Sequence, residues 1–141
     1  MSIRARVVVG VYPGQADRVV LKAAVFAARF DAELVCAWAN PNATEFDPYL
    51  TAHLTRILID QNVDWSTRQL TGDPARALGQ LAESLRAVMV VVGTRDGTVR
   101  GSLQEFFAGS IAMHLAHRQN RPVVVIPLAP VSFDDLPGQA E

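Results

Sequence analysis

The sequence predicts a single α/β domain: an open, parallel, five-stranded sheet with helices on both faces. Three observations lead there. Four short valine-rich runs, at 5–11 (ARVVVGV), 33–39 (ELVCAWA), 87–92 (AVMVVV) and 122–127 (PVVVIP), are apolar without alternation. Strands buried on both faces read this way. Stretches with helical spacing separate the runs, and strand–helix repetition calls for a parallel sheet covered on both sides. The chain has 141 residues, which suits one domain with a real core.

Taken in order, the first strand spans 5–11 and stops at Tyr12-Pro13-Gly14. Asp17 is placed to cap a helix over 18–30, with Leu21, Ala24, Val25 and Ala28 on one face. The second strand, 33–39, ends at Asn40-Pro41-Asn42. A second helix is expected over 48–60, with Leu50, Leu54, Ile57 and Leu58 as its apolar stripe. Residues 63–70 (VDWSTRQL) alternate as an exposed edge strand does.

Thr71-Gly72-Asp73-Pro74 is the clearest helix start: Asp73 can cap, and proline is tolerated at the first helical position. Ala75, Leu78, Ala82 and Leu85 follow at helical spacing. The fourth strand covers 87–92. The last helix is expected over 109–117, with a separate turn at 103–107. PVVVIP is strand five.

Half of the residues are hydrophobic and 19% are charged, which argues against a disordered chain. A net charge of -1 gives no general pull toward nucleic acid or an anionic membrane. Arginine outnumbers lysine twelve to one. Cys36 is the one cysteine, so no internal disulfide forms, and it reads as a small buried residue. No run approaches the ~18 apolar residues of a membrane helix. The first residues, MSIRARVVVG, lack a signal-peptide core, so a cytoplasmic protein is expected.

The most informative stretch is 88–110, VMVVVGTRDGTVRGSLQEFFAGS. A buried strand gives way to a loop holding Gly93, Gly97 and Gly101, then to a helix start at Gly109-Ser110. Glycines let backbone approach a phosphate, and the free N–H groups of a helix start point at its charge. Arg95 and Arg100 add positive charge beside Asp96 and Glu105.

With GDPARAL (72–78), VVVGTR (90–95), AGS (108–110) and RPVVVIP (121–127), the chain from about Arg6 to Pro127 resembles the universal stress protein family. Gly93, Gly109 and Ser110 match that family's Gly-x-x-Gly…Gly-Ser/Thr nucleotide motif. The second motif glycine falls on Asp96, and the loop is three residues longer than the family's spacing. The resemblance implies the strand order 3-2-1-4-5. In that order the sheet reverses between strands one and four, where open α/β sheets bind ligands. The ends concerned are Val11-Tyr12 and Gly93-Thr94.

The resemblance further implies an adenine-nucleotide site, with ATP and Mg2+ as candidate ligands. Its contacts would come from Val11, Tyr12, Ala39, Gly93, Thr94, Arg95, Gly97, Gly109, Ser110 and Ile111. Family members that bind nucleotide usually carry an aspartate where Tyr12 stands; Tyr12 either stacks on a base or plugs the pocket. Residues 1–127 form the domain and 128–141 a tail, loose or held by a partner. A homodimer through strand five, Val123–Ile126, is implied by the family and by the exposure of so apolar an edge.

No general base or metal-binding carboxylate stands out, so any ATP hydrolysis would be slow. His114 and His117 stand three apart with no nearby carboxylate or cysteine, a poor metal site. Ser110 and His114 lack a third residue to orient them as a triad. Trp38, Trp65 and the Phe106-Phe107 pair read as packing. The alternative to a nucleotide binder is an interaction module on the same fold. The space between Tyr12, Ala39 and Gly93 discriminates them, according to whether it is open or filled. A phosphorelay receiver would need clustered acids after strand one, and Tyr12-Pro13-Gly14 supplies none. P-loop and dinucleotide motifs are absent as well.

Overall fold

A computed structural model of the protein describes residues 4–40, 42, 45–94, 111, 114–116 and 119–127. The elements are β1 (Arg6–Gly10), α1 (Asp17–Arg29), β2 (Glu33–Ala39), α2 (Pro48–Leu58), β3 (Trp65–Leu70), α3 (Pro74–Leu85), β4 (Met89–Gly93) and β5 (Val123–Ile126). Every strand pairing is parallel, and the order is β3-β2-β1-β4-β5. The expected fold and strand order are both present. The turn expected at 103–107, the Phe106-Phe107 pair and the tail from 128 lie outside the described residues.

Three of the four valine-rich runs, β1, β2 and β4, are central with both faces covered. β5 is an edge strand on which Val123 and Val124 are half-buried and Val125 is exposed, so the expectation of two covered faces fails there. Val7, Val8 and Val9 are all wholly buried. Val7 and Val9 join Leu34, Cys36, Met89 and Val91 in a core under α1 and α2. Val8 joins Val35, Ala37, Val90 and Val92 in a second core under α3 and Leu115. Each such side chain removed from water is worth about 1.5–3 kcal/mol before chain entropy is charged against it.

Two details of α1 differ from expectation. Its buried face is Val19, Val20, Ala23, Ala24 and Ala27, while Val25 is 42% exposed and Ala28 is exposed. The helix carries apolar residues on more than one flank. The flank with three alanines lies closest to the sheet, because a methyl group takes little depth. Asp17 is the first helical residue rather than the cap, which is Ala16 and makes no side-chain cap bond. The Asp17 carboxylate turns instead to α2, where Oδ1 meets His53 Nε2 at 2.6 Å.

The other helices start as their sequences predict or at a neighbouring signal. Asp47 Oδ1 accepts from the Tyr49 N–H at 2.8 Å, and Asp73 Oδ2 from the Arg76 N–H at 2.9 Å. Each is followed by proline at the first helical position. Leu50, Leu54 and Leu58 are buried on α2, with Ile57 half-buried. On α3, Leu85 is only half-buried, and Gly79 and Leu81 are buried with Ala75, Leu78 and Ala82. The helix closes at Arg86 in the left-handed region, φ 54°. β3 is an edge strand, beginning at Trp65 rather than at 63. Residue 111 and residues 114–116 are helical; the expected start of that helix lies outside the described residues.

Candidate functional site

Beyond their last paired residues, the two central strands part company. The Val11 N–H donates to Ala37 O at 2.9 Å, so β1 continues toward β2. The Thr94 N–H donates to Ile126 O at 3.0 Å, so β4 continues toward β5. A crevice opens between them, at the topological switch point where such sheets hold ligands.

The chain leaves β1 through a tight turn. The Gln15 N–H donates to Tyr12 O at 3.2 Å, with Pro13 and Gly14 between them. Gly14 has φ +84°, the geometry of a type II turn with proline second and glycine third. Gln15 Nε2 donates back to Gly10 O at 3.1 Å and fixes the turn against the strand.

A cavity of about 270 Å³ occupies this end of the sheet. Gly10, Val11, Ala37 and Ala39 make its floor, where all but Val11 carry nothing larger than a methyl group. Pro74 and Leu78 of α3, with Ile111, form one wall. Tyr12, Gln15, Trp38, Val92 and Gly93 complete its described lining, in which every side chain is uncharged. Trp38 is held by Phe46 in an edge-on contact, centroids 6.1 Å apart. The volume falls just short of the roughly 300–1,000 Å³ typical of small-molecule pockets.

Tyr12 and Gln15 also line a second cleft, of about 20 Å³, between the start of α1 and α2. Asp17 and His53 border it. An Arg56 guanidinium nitrogen lies 2.9 Å from His53 Nδ1. Arginine only donates, so Nδ1 accepts and Nε2 carries the proton toward Asp17. These polar side chains tie the two helices beside the cavity.

Of the sequence-predicted contacts, Val11, Tyr12, Ala39, Gly93 and Ile111 line the cavity together. Thr94 stands at β5 and is not part of that lining. Arg95, Gly97, Gly109 and Ser110 lie outside the described residues. The motif reading missed Gln15, Pro74 and Leu78. Pro74 and Leu78 sit in the GDPARAL helix, which opens at the C-terminal end of the sheet, and that placement is the signal that could have found them.

Gly93 has a packing role as well. A Cβ built there would lie 2.6 Å from Val19 Cγ2. Cys36 lies in the core below, where burial pushes its thiol up to about 12, far from a nucleophile's range. His114 is exposed. Among the described residues, no group of three or more His, Cys, Asp or Glu could hold a metal ion. No described helix is long and apolar enough to cross a membrane.

Solved structures with this geometry share the fold. A universal stress protein crystallised in complex with cAMP is 26% identical, with a TM-score of 0.72, over 91% of this chain and 100% of that one. A universal stress protein from Archaeoglobus fulgidus, in complex with dAMP, is 19% identical with a TM-score of 0.65, over 89% and 99%. The universal stress protein UspA from Lactobacillus plantarum is 16% identical with a TM-score of 0.62, over 89% and 99%. Among curated protein sequences no relative matches. The family model for the universal stress proteins matches residues 4–127. With that match spanning all five strands and the switch-point cavity, the chain belongs to the universal stress protein family.

Proposed function

We propose that the protein binds an adenine nucleotide in the switch-point cavity, with ATP and Mg2+ as the first ligands to try. The observation that carries this reading is the open space between Tyr12, Ala39 and Gly93. A plugging Tyr12 would have filled it, and the interaction-module alternative loses its main argument. The similar structure with cAMP supports the same ligand class. In this reading Val11, Tyr12, Ala39, Gly93 and Ile111 surround the base and sugar. Thr94, Arg95, Gly97, Gly109 and Ser110 serve the phosphates.

The same reading makes the protein a cytoplasmic homodimer, paired through β5. β5 lies at the sheet edge, and its Val125 is 42% exposed, which supports that surface. Residues 128–141 then form a tail beyond the domain. Calorimetric titration with ATP, ADP and AMP, with and without Mg2+, tests the ligand. Micromolar affinity, or adenine nucleotide carried through purification, is the expected result. An empty extract and no heat of binding would return the protein to the interaction-module reading.

A further inference from the structure

Resting on the nucleotide reading above, we infer that Gln15 is the residue that reads the sugar. It does so through a neutral hydrogen bond, leaving the site with only a shallow preference for ribose over 2′-deoxyribose. The argument starts from the order of strands under the cavity. Ala37 and Ala39 belong to β2, Gly10 to β1, and Val92 and Gly93 to β4. A nucleotide lying across the cavity, with its base over β2 and its other end toward Gly93, places its sugar over the end of β1. That is where Gln15 stands. Its Nε2 is engaged with Gly10 O at 3.1 Å, which orients the amide and leaves Oε1 as an acceptor.

Tyr12 and Gln15 are neutral, as is every other described side chain of the lining. A sugar hydroxyl bonded to a carboxylate gains a charge-assisted hydrogen bond; one bonded to an amide oxygen gains a neutral bond, worth roughly two- to tenfold in affinity. The described lining therefore reads the sugar weakly.

Calorimetry with AMP and 2′-deoxy-AMP on the native chain and on Gln15→Met and Gln15→Ala tests this. The native protein is expected to favour AMP by about two- to tenfold. Both variants are expected to bind the two ligands equally, with AMP weakened to the level of deoxy-AMP. The methionine variant keeps the bulk of the side chain, so a folding defect in the alanine variant leaves the comparison intact. A preference well above tenfold, no preference in the native protein, or an undiminished preference in the variants overturns the assignment and leaves nucleotide binding standing. No binding of either ligand to the native protein overturns the nucleotide reading itself.

Discussion

Gly93 at the end of β4 and Val19 in the first turn of α1 touch so closely that a Cβ on Gly93 would sit 2.6 Å from Val19 Cγ2. The absent side chain is what lets α1 lie against the last residue before the glycine-rich stretch. Gly93→Ala is accordingly expected to cost about 1–3 kcal/mol through overpacking. Val19→Ala in the same chain removes the clash, so the double variant should lose less than the sum of the single losses. Urea unfolding of the four proteins measures this. Strict additivity would show that the contact does not govern stability.

The cavity is bounded by small residues, so it can be closed by one larger one. Ala39→Leu, at the half-exposed end of β2, is expected to weaken adenine-nucleotide binding by at least about tenfold, the scale of one lost favourable contact region. Its melting temperature should stay near that of the native protein. Full-strength binding in a well-folded variant would move the ligand away from the cavity floor.

How much of this was legible in the residues alone follows from what each signal encodes. Continuous valine runs mark β1, β2 and β4 as strands buried on both faces, and that property points to a parallel sheet covered by helices. Asp73-Pro74 was equally plain, because its cap geometry is local. The face of α1 was not: several of its flanks carry apolar residues, and only the sheet's depth selects the alanine-rich one. Strand order came from the family resemblance, since periodicity does not encode it. Gln15 went unseen for a related reason. Its position depends on a bond back to Gly10 O, and no motif spells that contact.

Removing the Asp73 cap should loosen the helix that walls the cavity. Asp73→Ala is expected to cost about 1 kcal/mol, within the 0.5–2 kcal/mol range for such caps. Chemical denaturation reads the loss, and Asp73→Ser should restore most of it. An unchanged midpoint in the alanine variant would mean that Pro74 alone sets the helix start.

Arg86 ends α3 with φ 54°, where a Cβ is disfavoured. Arg86→Gly is expected to raise stability by about 0.5–1 kcal/mol, the relief of left-handed strain being partly offset by the extra freedom of glycine when unfolded. A shift of the urea midpoint to higher concentration is the sign to look for. A shift downward would show that the arginine side chain contributes more than its backbone costs.

Burial holds the folded Cys36 thiol up to about 12, while an unfolded thiol ionises near 8.5. The unfolded chain loses this proton first. The stabilising difference is intact below about pH 8 and is lost as pH rises toward 12. Stability should therefore fall more steeply between pH 8 and 10 in the native protein than in Cys36→Ala. A thiol reagent should label Cys36 only as the chain unfolds, and rapid labelling at neutral pH would contradict its burial.

Gly10 and Gly93 have an evolutionary consequence. A Cβ on Gly10 would come within 3.2 Å of Leu78 Cδ1 on one face of the sheet, as one on Gly93 would meet Val19 on the other. The two strand ends nearest the crevice are thus the places least free to drift. A lineage carrying this scaffold can change what it recognises mainly by altering the turn after β1, the α3 wall and the residues beyond Gly93. Diversity of ligand among descendants of such a protein would be written at the margins of the cavity, with Gly10 and Gly93 held constant by packing.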